Sequence, residues 1–285
     1  MAEQLVVLSN EYLEVKVSTK GAELQSIKYG GKEKLWQGDT SYWLGHAPIL
    51  FPICGGLKEE KYTFEGKEYT LPKHGFVRFS EFEVECSEKE KAIFLLCSDK
   101  ESKKHFPFDY ELRITYSLSG SELNVKYDVK NLSHKEMYFS IGAHEGYACP
   151  EGIEAYSIIF DEVENLDSNV LNGELLEYNT VNVGKNTNEL PLKYDYFLVD
   201  ALVFLNLKSK MVKLKNRITN EVVTLEFKDH DYFLLWTKPG AKYICMEPWC
   251  GIQDFVDSDF DITKKRGVIK LLANEVCTKV HRIIF

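Results

Sequence analysis

Apolar and polar residues alternate with a period of two along most of this chain. Leu112, Ile114, Tyr116 and Leu118 fall on one face of a segment, and Leu123, Val125, Tyr127 and Val129 on one face of the next, with Ser119-Gly120-Ser121 between them. Successive side chains of a strand point to opposite faces, so this pattern predicts two half-buried strands joined as a β-hairpin. The same alternation recurs at Leu13, Val15 and Val17, at Ala201, Val203, Leu205 and Leu207, and at Val223, Leu225 and Phe227. Turn residues punctuate the strands: Gly30-Gly31, Glu65-Gly66, Thr219-Asn220 and Pro239-Gly240. No apolar i, i+3, i+4, i+7 pattern runs beyond about two helical turns, which excludes a doubly wound α/β fold with its crossover helices.

Many antiparallel strands with short turns close as a barrel or as two packed sheets. At 285 residues the reading is all-β, a large antiparallel β-sandwich, with residues 1–285 as a single domain. The stretch from Glu162 to Leu190 is rich in Asn and Glu and poor in alternation. It reads as long irregular loops, a frequent source of binding-site walls. No repeat with a period of roughly 20 to 50 residues is evident, which argues against propellers and solenoids.

Composition then narrows the function. Thirty-five basic against 44 acidic residues leave a formal charge of −9. That balance opposes nucleic-acid binding, which draws its affinity from clustered Lys and Arg. No apolar run approaches the roughly 18 residues that span a bilayer. The amino-terminal stretch Met1 to Asn10 has Glu3 where a signal peptide carries basic residues. The expectation is a soluble, cytoplasmic protein with no membrane partner. Seven cysteines at irregular spacing, without a Cys-x-x-Cys pair, fit reduced thiols better than a disulfide framework or a zinc site.

Three stretches depart from the strand-and-turn pattern: Lys73 to Arg78, Ser140 to Tyr147, and Met246 to Ile252. Each carries an ionisable group, His74, His144 or Glu247, at what reads as a strand end. Taken singly, such a histidine is ordinarily a hydrogen-bonded core residue and such a glutamate a solvated turn. Together, two imidazoles and a carboxylate are the usual parts of proton transfer near neutral pH.

These stretches carry a resemblance. His74-Gly75-Phe76-Val77-Arg78, Ile141-Gly142-Ala143-His144 and Glu247-Pro248-Trp249-Cys250-Gly251 are similar to motifs of the aldose 1-epimerase (galactose mutarotase) superfamily, in particular its bacterial LacX-like branch. Pro48-Ile49-Leu50-Phe51-Pro52 and Phe106-Pro107-Phe108 add to it, and the likeness runs from about residue 5 to residue 285. The resemblance implies a galactose-mutarotase-like supersandwich with a sugar pocket. It implies an isomerase of carbohydrate metabolism that exchanges the α and β anomers of a free hexose without cofactor or metal. Apart from the resemblance, a hexose 6-phosphate stays open as substrate: the charge of −9 does not favour it, but a local cluster such as Lys58, Lys73 and Arg78 could suffice.

Carried over position by position, Glu247 would be the general base and His144 the general acid. His74 would share in holding the reacting oxygens, and Arg78 and Asp200 would contact hydroxyls or orient neighbours. Apart from the resemblance, Trp249 and Trp43, with Tyr147, read either as a stacking face for the sugar or, the commoner fate of such aromatics, as buried core residues. A free Glu near 4.3 and a free His near 6.5 already suit these roles, so neither requires a large pKa shift.

Two positions depart from the pattern. Glu145 follows His144 where proline is usual, and Gly55-Gly56 stands where an arginine is frequent. In an extended strand Glu145 would point away from His144; after a turn it would enter the pocket. Lys58 or Lys73 could replace the missing cation. His46, His105, His134, His230 and His281 read as structural or surface groups, and Asp229-His230-Asp231 as an acidic turn. The alternatives are a non-catalytic carbohydrate-binding module and a glycoside hydrolase using Glu247 with Glu145 or Asp200. A two-histidine, one-carboxylate metal oxygenase is a third.

Overall fold

The structure is a computed structural model and describes residues 4–285. Met1 to Glu3 of the amino-terminal stretch lie outside the described residues. No helix is long and apolar enough to cross a membrane among them.

The alternating segments form strands, and the strands form a large antiparallel β-sandwich. Its largest layer is a nine-stranded sheet running from the Leu175–Pro191 strand at one edge to Glu83–Ser87 at the other. At its centre, Tyr110–Ser119 pairs with Glu122–Asn131, placing Leu118 opposite Leu123, Tyr116 opposite Val125, Ile114 opposite Tyr127 and Leu112 opposite Val129. All eight side chains are buried, so the hairpin contributes one apolar face.

A four-stranded sheet spanning Leu5 to Glu33 and a five-stranded sheet oppose that face. Val15, Val17 and Ile27 of the former and Ile244, Met246 and Leu235 of the latter belong to the same core as Ile114, Val125 and Ile283 of the large sheet. At roughly 25 cal/mol per Å² of apolar surface removed from water, this shared core is the main stabilising term. Tyr116 ties the layers together by donating its hydroxyl to the Ala22 carbonyl at 2.6 Å.

The expectation of loops over Glu162 to Leu190 is wrong. Tyr156–Asn172 and Leu175–Pro191 form a hairpin of two seventeen-residue strands with a turn at Gly173. Their pairing is interrupted by register shifts at four places, and most side chains of the second strand face solvent. A bulged edge strand rich in Asn and Thr carries little period-two signal, and its bulges resist pairing with other chains.

In the five-stranded sheet, Tyr243–Cys250 runs between Tyr232–Trp236 on one side and Ile141–Gly142 and Glu145–Ala148 on the other. All eight of its residues are buried. Ile244, Met246 and Cys250 enter the main core, whereas Tyr243, Cys245 and Trp249 belong to two smaller clusters on the opposite face. Glu247 shares that second face by strand alternation.

Candidate active site

Glu247 therefore projects from mid-strand, not from the strand end that its motif suggested. Across from it the partner strand is broken. Ala143 donates its N–H to the Pro248 carbonyl at 3.1 Å, and His144 sits in the gap between Ile141–Gly142 and Glu145–Ala148. The break turns His144 toward Glu247, with Nε2 3.4 Å from Oε2. Gly142 permits this local path: a Cβ there would lie 2.6 Å from Trp249 Cδ1. The indole covers that glycine and donates Nε1–H to the Ala143 carbonyl at 3.1 Å, fixing the residue next to His144.

His74 reaches the same place from a distant segment. The Pro72 carbonyl accepts the Gly75 N–H at 2.8 Å, and His74 occupies the left-handed position of this turn at φ 67°. Such a conformation in a non-glycine residue is held by its surroundings. Here the His74 N–H donates to the Gly55 carbonyl at 2.8 Å while Nδ1 accepts the Gly55 N–H at 3.1 Å. With Nδ1 occupied as an acceptor, the neutral ring carries its proton on Nε2. The rings of His74 and His144 meet edge to face at 5.6 Å, and His74 meets Trp249 at the same separation.

His74, His144 and Glu247 line one cavity of about 280 Å³, near the lower end of the roughly 300–1,000 Å³ typical of small-ligand sites. Arg78, Asp200 and Trp249 also line it. Arg78 donates Nη2–H to the Lys73 carbonyl at 3.1 Å, bracing the His74 turn, and its guanidinium lies over Phe79. Trp249 is only 2% exposed and serves as floor. Trp43 is half-buried and tilts over His144 at 5.2 Å, with Trp236 edge-on to both.

Several expectations about neighbouring residues need correction. Glu145 does not enter the cavity: it extends to the opposite face and lies 2.9 Å from His281 Nε2 within the core. A glycosidase pair of Glu247 with Glu145 is therefore not assembled. Tyr147 is a core residue and offers no stacking face. Lys58 sits over Phe260 and donates to the Ser258 carbonyl, so of the two suggested lysines Lys73 alone lines the cavity. His230 and His281 are fully buried, while His105 and His134 are exposed.

The electrostatics also differ from expectation. Burial pushes Glu247 well above the carboxylate range, reinforced by Asp200 and opposed by Lys73. Burial lowers His144 to about 3, and Lys73 and Arg78 add to the shift. His74 is likewise lowered by burial and by neighbouring cations. Desolvation disfavours the charged form of each group, so burial favours a carboxylic acid beside a neutral imidazole. The sequence could not show this, because the shift comes from neighbours brought in by the fold.

Trp236, Leu171, Glu174 and Gln253 also line the cavity; Leu171 and Glu174 come from the stretch expected to supply binding-site walls, and local patterning marks neither Trp236 nor Gln253. Among the described residues, His144, Cys245 and Glu247 form the one group whose potential metal-binding atoms lie within 4.8 Å of one another. Burial pushes the Cys245 thiol up, away from the thiolate that binds metals.

Comparisons with known proteins identify the family and the fold. The family model described as aldose 1-epimerase matches residues 4–280. The plasmid-encoded protein LacX of Lactococcus lactis subsp. lactis is 34% identical over 293 residues, covering 98% of both chains. A galactose mutarotase related enzyme from Lactobacillus acidophilus superposes with a TM-score of 0.94 at 32% identity, covering 99% of this chain and 97% of its own. A galactose mutarotase-like protein from Lactobacillus casei gives 0.94 at 26% identity, with 99% of each chain covered. The chain belongs to the aldose 1-epimerase family.

Proposed function

We propose that this member of the aldose 1-epimerase family interconverts the α and β anomers of an aldose, using Glu247 and His144 as base and acid. The observation that carries this reading is the 3.4 Å approach of His144 Nε2 to Glu247 Oε2 on the floor of a sugar-sized cavity. In the charge-separated form, Glu247 takes the proton of the C1 hydroxyl. C1 becomes a carbonyl as the bond from C1 to the ring oxygen breaks, and His144 gives its proton to that oxygen. Rotation about C1–C2 presents the other carbonyl face, and closure runs the transfers backward.

Ring opening leaves Glu247 protonated and His144 neutral. That is the arrangement which burial favours. The two forms hold the same number of protons, so the pair changes between them without solvent. Desolvation thus lowers the energy of the ring-open state relative to the closed one. His74, with Nε2–H free of the backbone, donates to the oxygen on which charge develops. Asp200 and Arg78 orient hydroxyls and the His74 turn, and Trp249 and Trp43 bound the sugar's apolar face.

Polarimetry on freshly dissolved α-glucose and α-galactose tests the reading. The expected result is faster decay to the equilibrium rotation in proportion to protein concentration. Sugar binding without acceleration would mean a binding module instead.

A further inference from the structure

The cavity mouth is built by residues that the acid–base reading does not use. Glu174 stands at the tip of the long hairpin, directly after Gly173, and lines the cavity. Gly56 makes room for it: a Cβ at residue 56 would lie 2.8 Å from Glu174 Oε2 and 2.9 Å from its Cβ. The tip is held in place by backbone hydrogen bonds. Leu176 donates to the Asp254 carbonyl at 2.8 Å, Val256 donates to Leu176 at 3.0 Å, and Asp254 donates to Gly56 at 3.0 Å. Glu174 is therefore a half-exposed side chain on a fixed backbone.

Its partners give the mouth a definite chemistry. Lys73 Nζ lies 3.7 Å from Glu174 and 3.9 Å from Asp200, so one ammonium is shared between two carboxylates. Arg78 donates to the Lys73 carbonyl and lies over Phe79, with Glu23 as the opposite charge nearby. Gln253 lines the same wall, is 5% exposed, and has no partner for Oε1. A buried acceptor without a donor carries a desolvation cost that a ligand hydroxyl would relieve.

We infer that Glu174 is a specificity-determining residue. With Lys73 and Gln253 it reads a hydroxyl of the sugar and turns away aldoses that carry a phosphate. The inference rests on the sugar site proposed above. A phosphate brings about −1.5 to −2 charges to a mouth where Lys73 is already shared by Glu174 and Asp200 and where the second cation, Arg78, is engaged with the Lys73 carbonyl and the Phe79 ring. A hydroxyl brings a proton that Glu174 or Gln253 accepts, and an oxygen to which Lys73 donates.

The test is calorimetric binding and polarimetric kinetics with glucose, galactose and their 6-phosphates, on wild type, Glu174→Gln, Glu174→Asp and Glu174→Lys, with melting curves as a folding control. Wild type should favour the unphosphorylated sugars. Glu174→Gln should raise KM for them about tenfold with kcat little changed, the signature of lost binding without lost chemistry. Glu174→Asp should recover part of the loss, and Glu174→Lys should shift the preference about tenfold toward the phosphates.

Equal or better use of 6-phosphates by wild type would overturn the inference, as would Glu174 variants whose KM and preference stay within about twofold of wild type. Glu174-dependent binding of free sugars without anomerisation would remove the catalytic reading and leave this inference standing. No binding of any of the four sugars would remove both.

Discussion

Glu145 and His281 lie 2.9 Å apart in the core, on the face of the Glu145–Ala148 strand turned away from the cavity. Both are nearly devoid of solvent contact, and one atom of each, Oε2 and Nδ1, lacks a partner. Removing one member strands the other in an apolar medium. His281→Ala and Glu145→Ala are each expected to cost about 3 to 5 kcal/mol, read as lower denaturant midpoints. Replacing both residues by leucine should cost much less than the sum of the two single losses. A purely additive cycle would show that the pair is not coupled.

Glu247→Gln preserves the size of the side chain and removes the base. The variant should melt near the wild-type temperature while kcat falls by about 10²- to 10⁴-fold. His144→Asn should be comparably severe. His74→Asn should be milder, because in the proposed mechanism His74 donates a hydrogen bond and transfers no proton. A Glu247→Gln protein with near wild-type polarimetric rate would refute the assigned role.

The pH profile follows from proton counting. The pair works with one proton between its members. A second proton enters only as pH falls through the His144 value of about 3. The single proton is lost only as pH rises through the elevated Glu247 value. Thus kcat/KM, which reports the free protein, should stay level through the region of about 6.5 where an ordinary imidazole titrates, and should decline on the alkaline side. An acid limb centred near about 6.5 would contradict the burial-driven shift.

Gly142→Ala places a methyl group 2.6 Å from Trp249 Cδ1. The indole cannot retreat without giving up its hydrogen bond to Ala143. A loss of about 1 to 3 kcal/mol from overpacking is expected, together with a lower kcat as the segment carrying His144 moves. Unchanged kinetics would show that the indole contact does not position the acid.

Where one face of a strand is buried and the other wet, the sequence alone is sufficient, as the Tyr110 to Asn131 hairpin shows by matching its alternation residue for residue. The hairpin of Tyr156–Asn172 with Leu175–Pro191 escaped because its second strand is largely solvated and its ladder is bulged. His74, His144 and Glu247 were visible as motif residues, and the fold brings them to one cavity. Trp236 and Gln253 were invisible, since each sits on an unexceptional strand or loop and acquires its place from contacts with remote segments, whereas Glu174 lies in the stretch read as a source of binding-site walls without being singled out there. The altered acidity of Glu247 and His144 was equally hidden, since burial is a property of the assembled molecule.

The hairpin tip pinned at Leu176 enters the cavity as a separate insert. It comes from the outermost strands of the large sheet, whereas Glu247 comes from an interior strand of the five-stranded sheet and His144 from the break in the edge strand beside it. On the proposed function, a library that varies residues 172–175 while keeping the Leu176 anchor would therefore change the contacts at the cavity mouth and leave in place the strands that carry Glu247 and His144. The molecule is arranged for retuning by swapping one short cassette.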